Sequence, residues 1–288
     1  MKNCFPHIAV AFILALAGAA HDAHAQTAWS LFRLSDSLMV SEIVSDKADM
    51  SAEVGHCGPA VENQYMALRL MFDDSGAIDV YSTSGRGLEL EKYGWYPDTA
   101  AVAGGAGRDD YAVAGTLGLG GIALWDDGRT VRLEATEGRT ARAGRTSKGC
   151  YAEMISYGVP YKGEKVDISV RIDMSNKLRT AWVTAKCLSR QKVSFVTGVN
   201  WHEGASIISG DGRISVWGTH PAEDGTEPVP VGAGMFFSKG VFSAPEKTED
   251  MVIIVSRPCT AVSTKVVAAS TREAELNTLR RFETFMSK

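Results

Sequence analysis

Val166, Ile168, Val170 and Ile172 alternate with Asp167, Ser169, Arg171 and Asp173. A side-chain period of two belongs to a strand with one buried and one wet face. No other pattern in the chain is as regular, and a protein built on it must bury sheet faces against each other. Ala181 to Leu188, Val193 to Val199 and Met251 to Ser256 also read as strands. Ile122 to Trp125 and Val131 to Leu133 flank Asp126-Asp127-Gly128, and Asp-Gly suits a tight primed turn, so the segment reads as a hairpin. Asp211-Gly212 before Ile214 to Trp217 gives a second hairpin signal. Met66 to Phe72 reads as a strand that turns at Asp73-Asp74-Ser75-Gly76 into Ile78 to Tyr81.

Helix signals are scarce. Ser270 with Glu273 fits a capping box, and Leu276, Leu279, Phe282 and Phe285 recur at helical spacing. A weaker helix is placed within Leu31 to Ser45. Ala100 to Gly121, rich in Gly and Ala, reads as loop with a strand inside it, and Glu223 to Pro230 as a surface loop. No composition break marks a second domain. The expectation is an all-β, single-domain β-sandwich over residues 26–288 with a C-terminal helix.

Residues 1–25 read as a removed signal peptide. Lys2 precedes an apolar run, Ile8 to Ala20, too short for a bilayer span of about 20 residues, and Ala23-His24-Ala25 fits a cleavage site. This places the mature protein in the periplasm or outside the cell, with no membrane span. Cys57, Cys150, Cys187 and Cys259 then remain, and an oxidising compartment predicts up to two disulfides. Their wide spacing, without C-x-x-C, argues against structural zinc and redox motifs. A net charge of -4 gives no support to nucleic acid as a partner.

The densest chemistry lies in Gly55-His56-Cys57-Gly58-Pro59 and the strand after it. Read as one strand, that segment puts Asn63, Tyr65 and Arg69 on one face. An amide, a phenol and a guanidinium there can grip a sugar acid, because Arg forks two hydrogen bonds onto a carboxylate. The three histidines beyond the leader are His56, His202 and His220. Each is a candidate for proton exchange near neutral pH. Their convergence would make an acid/base set or a metal site. Without H-x-H or H-E-x-x-H spacing no cofactor is expected, and a divalent metal stays open. Trp95, Tyr96 and Tyr111, with Trp217, add aromatic faces that stack on sugar rings. Gly115 to Gly121 lacks the ending of a phosphate loop, and no G-x-S-x-G elbow is present.

His56 to Tyr81, written HCGPAVENQYMALRLMFDDSGAIDVY, resembles a bacterial family catalogued as domain of unknown function 4861. Gly94-Trp95-Tyr96, Gly104 to Gly107 and Gly115 to Gly121 are similar to it as well, and the His202 and Trp217-Gly218 regions more loosely. Cys57 is a departure, inserted where the family runs from His to Gly. The resemblance implies a secreted β-sandwich of polysaccharide-degrading loci, with a supersandwich of the galactose-mutarotase type as a variant of that fold class. It also implies dehydratase activity on uronate-containing oligosaccharides, including ulvan fragments. On that reading His56, His202 and Tyr96 are catalytic, and Arg69 with Asn63 binds the uronate carboxylate. Tyr65, Trp95, Tyr111, Trp217 and His220 would line the substrate. The competing readings are a non-catalytic carbohydrate-binding protein and a glycoside hydrolase or epimerase on a similar sandwich.

Overall fold

Each hairpin aligns apolar side chains from neighbouring strands on one face. A computed structural model describes residues 26–84, 87–221 and 227–288. Residues 1–25, read as a signal peptide, and part of the Glu223 to Pro230 loop lie outside the described residues. The largest sheet has nine antiparallel strands, Ser206–Gly210, Arg213–Thr219, Pro230–Phe236, Ala261–Ser270, Ala181–Cys187, Glu164–Ser175, Gly149–Tyr161, Arg139–Thr146 and Glu42–Ser45 in spatial order. A four-stranded sheet runs Thr27–Ser30, Ala60–Asn63, Met66–Leu70, Ile78–Ser82. A five-stranded sheet runs Glu246–Lys247, Met251–Val255, Phe195–Asn200, Ala123–Asp126, Arg129–Val131.

The two smaller sheets are stitched into one layer. Leu119 N–H donates to Ile78 O (3.0 Å) on one side, and Gly120 N–H donates to Gly198 O (2.9 Å) on the other. Gly118 and Gly120 both sit at positive φ (67° and 74°), where a side chain is strained. A β-carbon at Gly120 would also run into Val266 of the large sheet. The glycine-rich Gly115 to Gly121 segment is therefore a seam. This layer packs on the large sheet around one core, including Leu68, Val80, Val170, Val183, Val199 and Val266. The fold is an all-β sandwich.

Both Asp-Gly hairpins form. Asp127 and Gly128 (φ 44° and 90°) and Asp211 and Gly212 (φ 48° and 79°) take the left-handed pairs a primed turn needs. The C-terminal helix starts later than the capping box suggests. Ser270 still pairs with Val231 in the large sheet, and the Glu273 carboxylate is held by Arg179. The helix spans Leu279–Met286, capped by Thr278 Oγ1 accepting from Arg281 N–H (3.3 Å). It covers the outer face of the large sheet at Gly232 and Gly234, where any β-carbon would collide with Phe282 or Met286.

Leu31 to Ser45 holds no helix. Phe32 bridges to Met39, and Glu42–Ser45 joins the large sheet. Ala100 to Gly121 holds isolated bridges in place of a strand, after a short helix, Thr99–Ala103. Among the described residues no disulfide joins Cys57, Cys150, Cys187 or Cys259, against the expected pairs. They are seated separately: Cys150 donates to Ala28 O (3.0 Å), and Cys259 points its thiol at Ser256 Oγ (3.7 Å). Burial, the largest cause, pushes the Cys150 thiol up to about 12. Among the described residues no helix is long and apolar enough to cross a membrane.

Phe282 is fully buried, its ring 5.7 Å from that of Trp217. Phe282→Ala is expected to cost about 3–5 kcal/mol. Urea unfolding checks this, and an unchanged midpoint would show that the helix does not contribute to the fold.

Candidate active site

The Asp73 to Gly76 turn sets the register that pairs Arg69 with Asp79 across adjacent strands. Met66, Leu68 and Leu70 enter the core, so Ala67 and Arg69 face outward from the four-stranded sheet, with Asp79 and Tyr81 beside them. Short helices and the loop before Tyr111 cover that face and bury Arg69. Its Nη2 lies 2.5 Å and its Nε 2.9 Å from Asp79 Oδ2. Nη1 donates to His56 O (3.1 Å), and Nη2 also reaches Tyr96 Oη (2.8 Å) and Asp109 Oδ2 (3.4 Å). The guanidinium stacks 4.4 Å from the Trp95 ring centroid, and Trp95 Nε1 donates to Asp109 Oδ2 (3.0 Å). Burial works against the Arg69 charge, but Asp79, Tyr96 and Asp109 raise its pKa, so it stays protonated.

His56 sits in the turn this guanidinium holds. His56 and Cys57 both adopt left-handed backbone (φ 57° and 55°), each a strained position costing about 1–3 kcal/mol. A β-carbon at the next residue, Gly58, would collide with Leu70 O. The His56 ring lies between Phe32 (5.3 Å) and Trp95 (6.2 Å). Burial first, and then Arg69, pulls its pKa down to about 3. Tyr96 is half exposed, and burial raises its phenol; Arg69 opposes this while Asp109 and Asp79 add to it. At neutral pH His56 is therefore uncharged and Tyr96 keeps its proton.

A second cluster forms where two other strands end. Asn200 closes Phe195–Asn200, with His202 just beyond it, and His220 follows Arg213–Thr219. Their side chains converge on one backbone oxygen. Ala112 O accepts from Asn200 Nδ2 (2.8 Å) and lies 3.4 Å from His202 Nε2 and 3.3 Å from His220 Nδ1. The His220 ring is 4.5 Å from that of His202 and 4.4 Å from that of Tyr111. Burial, the largest cause, with His202 adding to it, lowers His220 to about 3. Burial raises the Tyr111 phenol, and so does Asp79. Asp79 thus acts on both clusters, and the Asp109 to Ala112 segment physically joins them. Tyr111 Oη and Asn200 Oδ1 are buried without a hydrogen-bond partner. Among the described residues no three His, Cys, Asp or Glu side chains are grouped to hold a metal.

The structure brings together His56, Arg69, Trp95 and Tyr96 in one cluster, and Tyr111, His202 and His220 in a second that the Asp109 to Ala112 segment links to it. It sends three expected contacts elsewhere. Asn63 and Tyr65 do not share a strand face with Arg69, because the segment breaks into a hairpin: Asn63 Oδ1 accepts from Tyr65 N–H (2.9 Å) and Met66 N–H (3.1 Å). Tyr65 stacks on Arg179 instead (4.6 Å). Trp217 is buried under the C-terminal helix. Arg69 itself has four protein acceptors, so its fork is already committed within the fold.

The family model described as "Domain of unknown function (DUF4861)" matches residues 16–288. The chain belongs to the DUF4861 family. No curated protein matches its sequence. Among solved structures it is similar to a heparan sulfate lyase HepC mutant from Pedobacter heparinus, at TM-score 0.39 and 8% identity over 75% of this chain and 34% of that one. A second structure of that lyase gives 0.38 and 10%, over 83% and 39%. A 4-alpha-glucanotransferase from Thermococcus litoralis gives 0.37 and 11%, over 81% and 42%. The chain thus spans well under half the length of each.

In this DUF4861 protein, Asp79, Asp109 and Asn200 were not among the expected site residues. Asp79 had a usable signal, since the turn count places it opposite Arg69. Asp109 and Asn200 had none.

Asp79→Asn leaves the Arg69 charge without its main partner and is expected to cost about 3–5 kcal/mol in urea unfolding; unchanged stability would mean the pair is not buried in solution. The lowered histidines set a pH window. Their folded pKa values, about 3, lie below the unfolded 6.5, so the unfolded chain binds more protons between these limits. Their contribution is complete above pH 6.5 and is lost as pH falls toward 3. His220→Leu is expected to flatten the decline of stability over that range. A decline as steep as wild type would show that His220 is not buried uncharged.

Proposed function

We propose that this chain is a carbon–oxygen lyase acting on uronate-containing oligosaccharides, as a dehydratase or an eliminative glycan lyase. The observation that carries this reading is the half-exposed Tyr96 phenol, whose hydroxyl lies 2.8 Å from a buried guanidinium that the Asp109 to Ala112 segment links to a pair of imidazoles. Elimination needs a proton acceptor for a weakly acidic C–H and a proton donor for a poor leaving group. A phenol backed by a fixed cation is such a donor, because the cation stabilises the phenolate left behind.

The half-buried His202 is the more accessible imidazole of its pair and takes the C5 proton. His220 and the Ala112 carbonyl hold its ring in place. As the C5–H bond breaks, its electrons form the C4–C5 double bond and the C4–O bond opens. Tyr96 gives its proton to the departing oxygen, releasing water in a dehydratase or a sugar hydroxyl in a lyase. Proton return from His202 through solvent restores Tyr96. Arg69 serves from behind the phenol and leaves direct contact with the substrate to Tyr96. Trp95 shapes the floor by stacking on that guanidinium. A signal peptide over residues 1–25 would put this activity in the periplasm or outside the cell.

The test uses uronate-terminated oligosaccharides, following ultraviolet absorbance of the unsaturated product and its mass. Tyr96→Phe and His202→Gln should each lower kcat by about 10²–10⁴-fold. Full turnover in both variants, or gain of water on cleavage instead of elimination, would overturn the reading. Binding without turnover would favour a carbohydrate-binding protein.

A further inference from the structure

The outer face of the nine-stranded sheet carries a large aromatic side chain in water. Ala181, Val183 and Ala185 enter the core, so Trp182, Thr184 and Lys186 point outward, and Trp182 is 43% exposed. An indole pairs an apolar ring face with a polar N–H, which suits it to a wet contact with a sugar ring. Directly opposite on one side is Lys265, whose Nζ lies 5.0 Å from the Trp182 ring centroid. On the other side is Asp173, which holds Arg171 through two bonds of 2.8 Å. The Arg171 guanidinium carbon in turn lies over Tyr151, 3.8 Å from its centroid.

Asp173 and Glu153 both act on Arg171, whereas among the described residues neither Lys186 nor Lys265 has a carboxylate within ion-pair distance. The face therefore offers a stacking surface with uncompensated positive charge one strand spacing, ~5 Å, to its side. We infer that this face is a second carbohydrate site, which holds a stretch of acidic polysaccharide. A pyranose ring stacks on Trp182, and the carboxylates of adjoining sugars meet Lys265 and Lys186.

This site cannot be part of the candidate active site. Arg69 and Tyr96 lie on the outer face of the four-stranded sheet, and the whole core separates the two faces. A short oligosaccharide fills one or the other, while a polymer can occupy both on different stretches. The face thus keeps the protein on acidic polymer while the other side works on chain ends. The inference rests on the proposed function only in its choice of an acidic glycan.

Native gel electrophoresis through polygalacturonate reads polymer binding without turnover. The full chain should be retarded, more at low salt than at high, and not retarded by neutral hydroxyethyl cellulose. Trp182→Ala should weaken retardation by about tenfold, the loss of one stacking contact near 1.4 kcal/mol. Lys186→Gln with Lys265→Gln should weaken it and remove the salt dependence. Turnover of short oligosaccharides should be unchanged in all of them. Retardation of Trp182→Ala equal to wild type, or no retardation of the wild type, would overturn the second site. Retardation by a protein that never eliminates would keep the second site and overturn the proposed activity.

Discussion

A guanidinium enclosed on the outer face of a β-sheet must be fully paired or it will not stay there. Stripping Arg69 of water costs several kcal/mol, and its carboxylate partner Asp79 bears a similar cost. The pair recovers that only with good geometry and further hydrogen bonds, and Arg69 obtains both. Satisfying this one cation dictates what surrounds it. The strained His56 turn presents its carbonyl, Tyr96 its hydroxyl, Trp95 its ring face and Asp109 a second carboxylate. Four separate segments of the chain are thereby tied to one side chain. Replacing buried ion pairs by apolar groups is often neutral for stability, so the value of this pair lies in placement.

The seam between the smaller sheets explains why the two clusters meet. Leu119 and Gly120 bond to both sheets, so the chain just before them is forced to cross the junction. That crossing segment carries Asp109, Asp110, Tyr111 and Ala112. Asp109 faces Arg69, and the Ala112 carbonyl faces the histidines. Arg272 grips Asp110 with bonds of 2.6 and 3.1 Å and pins the crossing to the end of the Ala261–Ser270 strand. The glycines that make the seam possible thus also position the candidate site.

What could be read from the chain itself follows the range of the interaction. Period-two alternation and Asp-Gly turns are local, and the sandwich and both hairpins were legible from them. Ser270 and Glu273 have the spacing of a cap, but Ser270 is retained by its sheet neighbour Val231, a partner some forty residues away that no local rule sees. Asn63 was misread for a local reason: its side chain makes the turn that breaks the strand, so Asn63 and Tyr65 lose the phase that would align them with Arg69. The meeting of Tyr111 with His202 and His220 spans about a hundred residues and depends on the order of strands across two sheets. Separate histidines could be noticed in the sequence, but not their shared carbonyl.

The proposed elimination, rather than hydrolysis, is the reaction that the state of the titratable groups supports. A glycosidase needs two carboxyl groups free to act as acid and as base or nucleophile. The carboxylates that act on Tyr96 are Asp109 and Asp79, and both are engaged by Arg69, with Asp109 also accepting from Trp95. Using either one as a proton shuttle would leave the buried guanidinium underpaired, at a cost on the order of the pair itself. Burial holds other groups of the two clusters neutral: the His56 and His220 imidazoles are uncharged, and the Tyr96 phenol keeps its proton beside Arg69. In the proposed elimination the proton leaves Tyr96 where the Arg69 cation faces the phenolate that forms, and the proton taken from carbon goes to the more exposed His202. Removing a C–H proton while losing a neutral leaving group is the reaction that makes this demand.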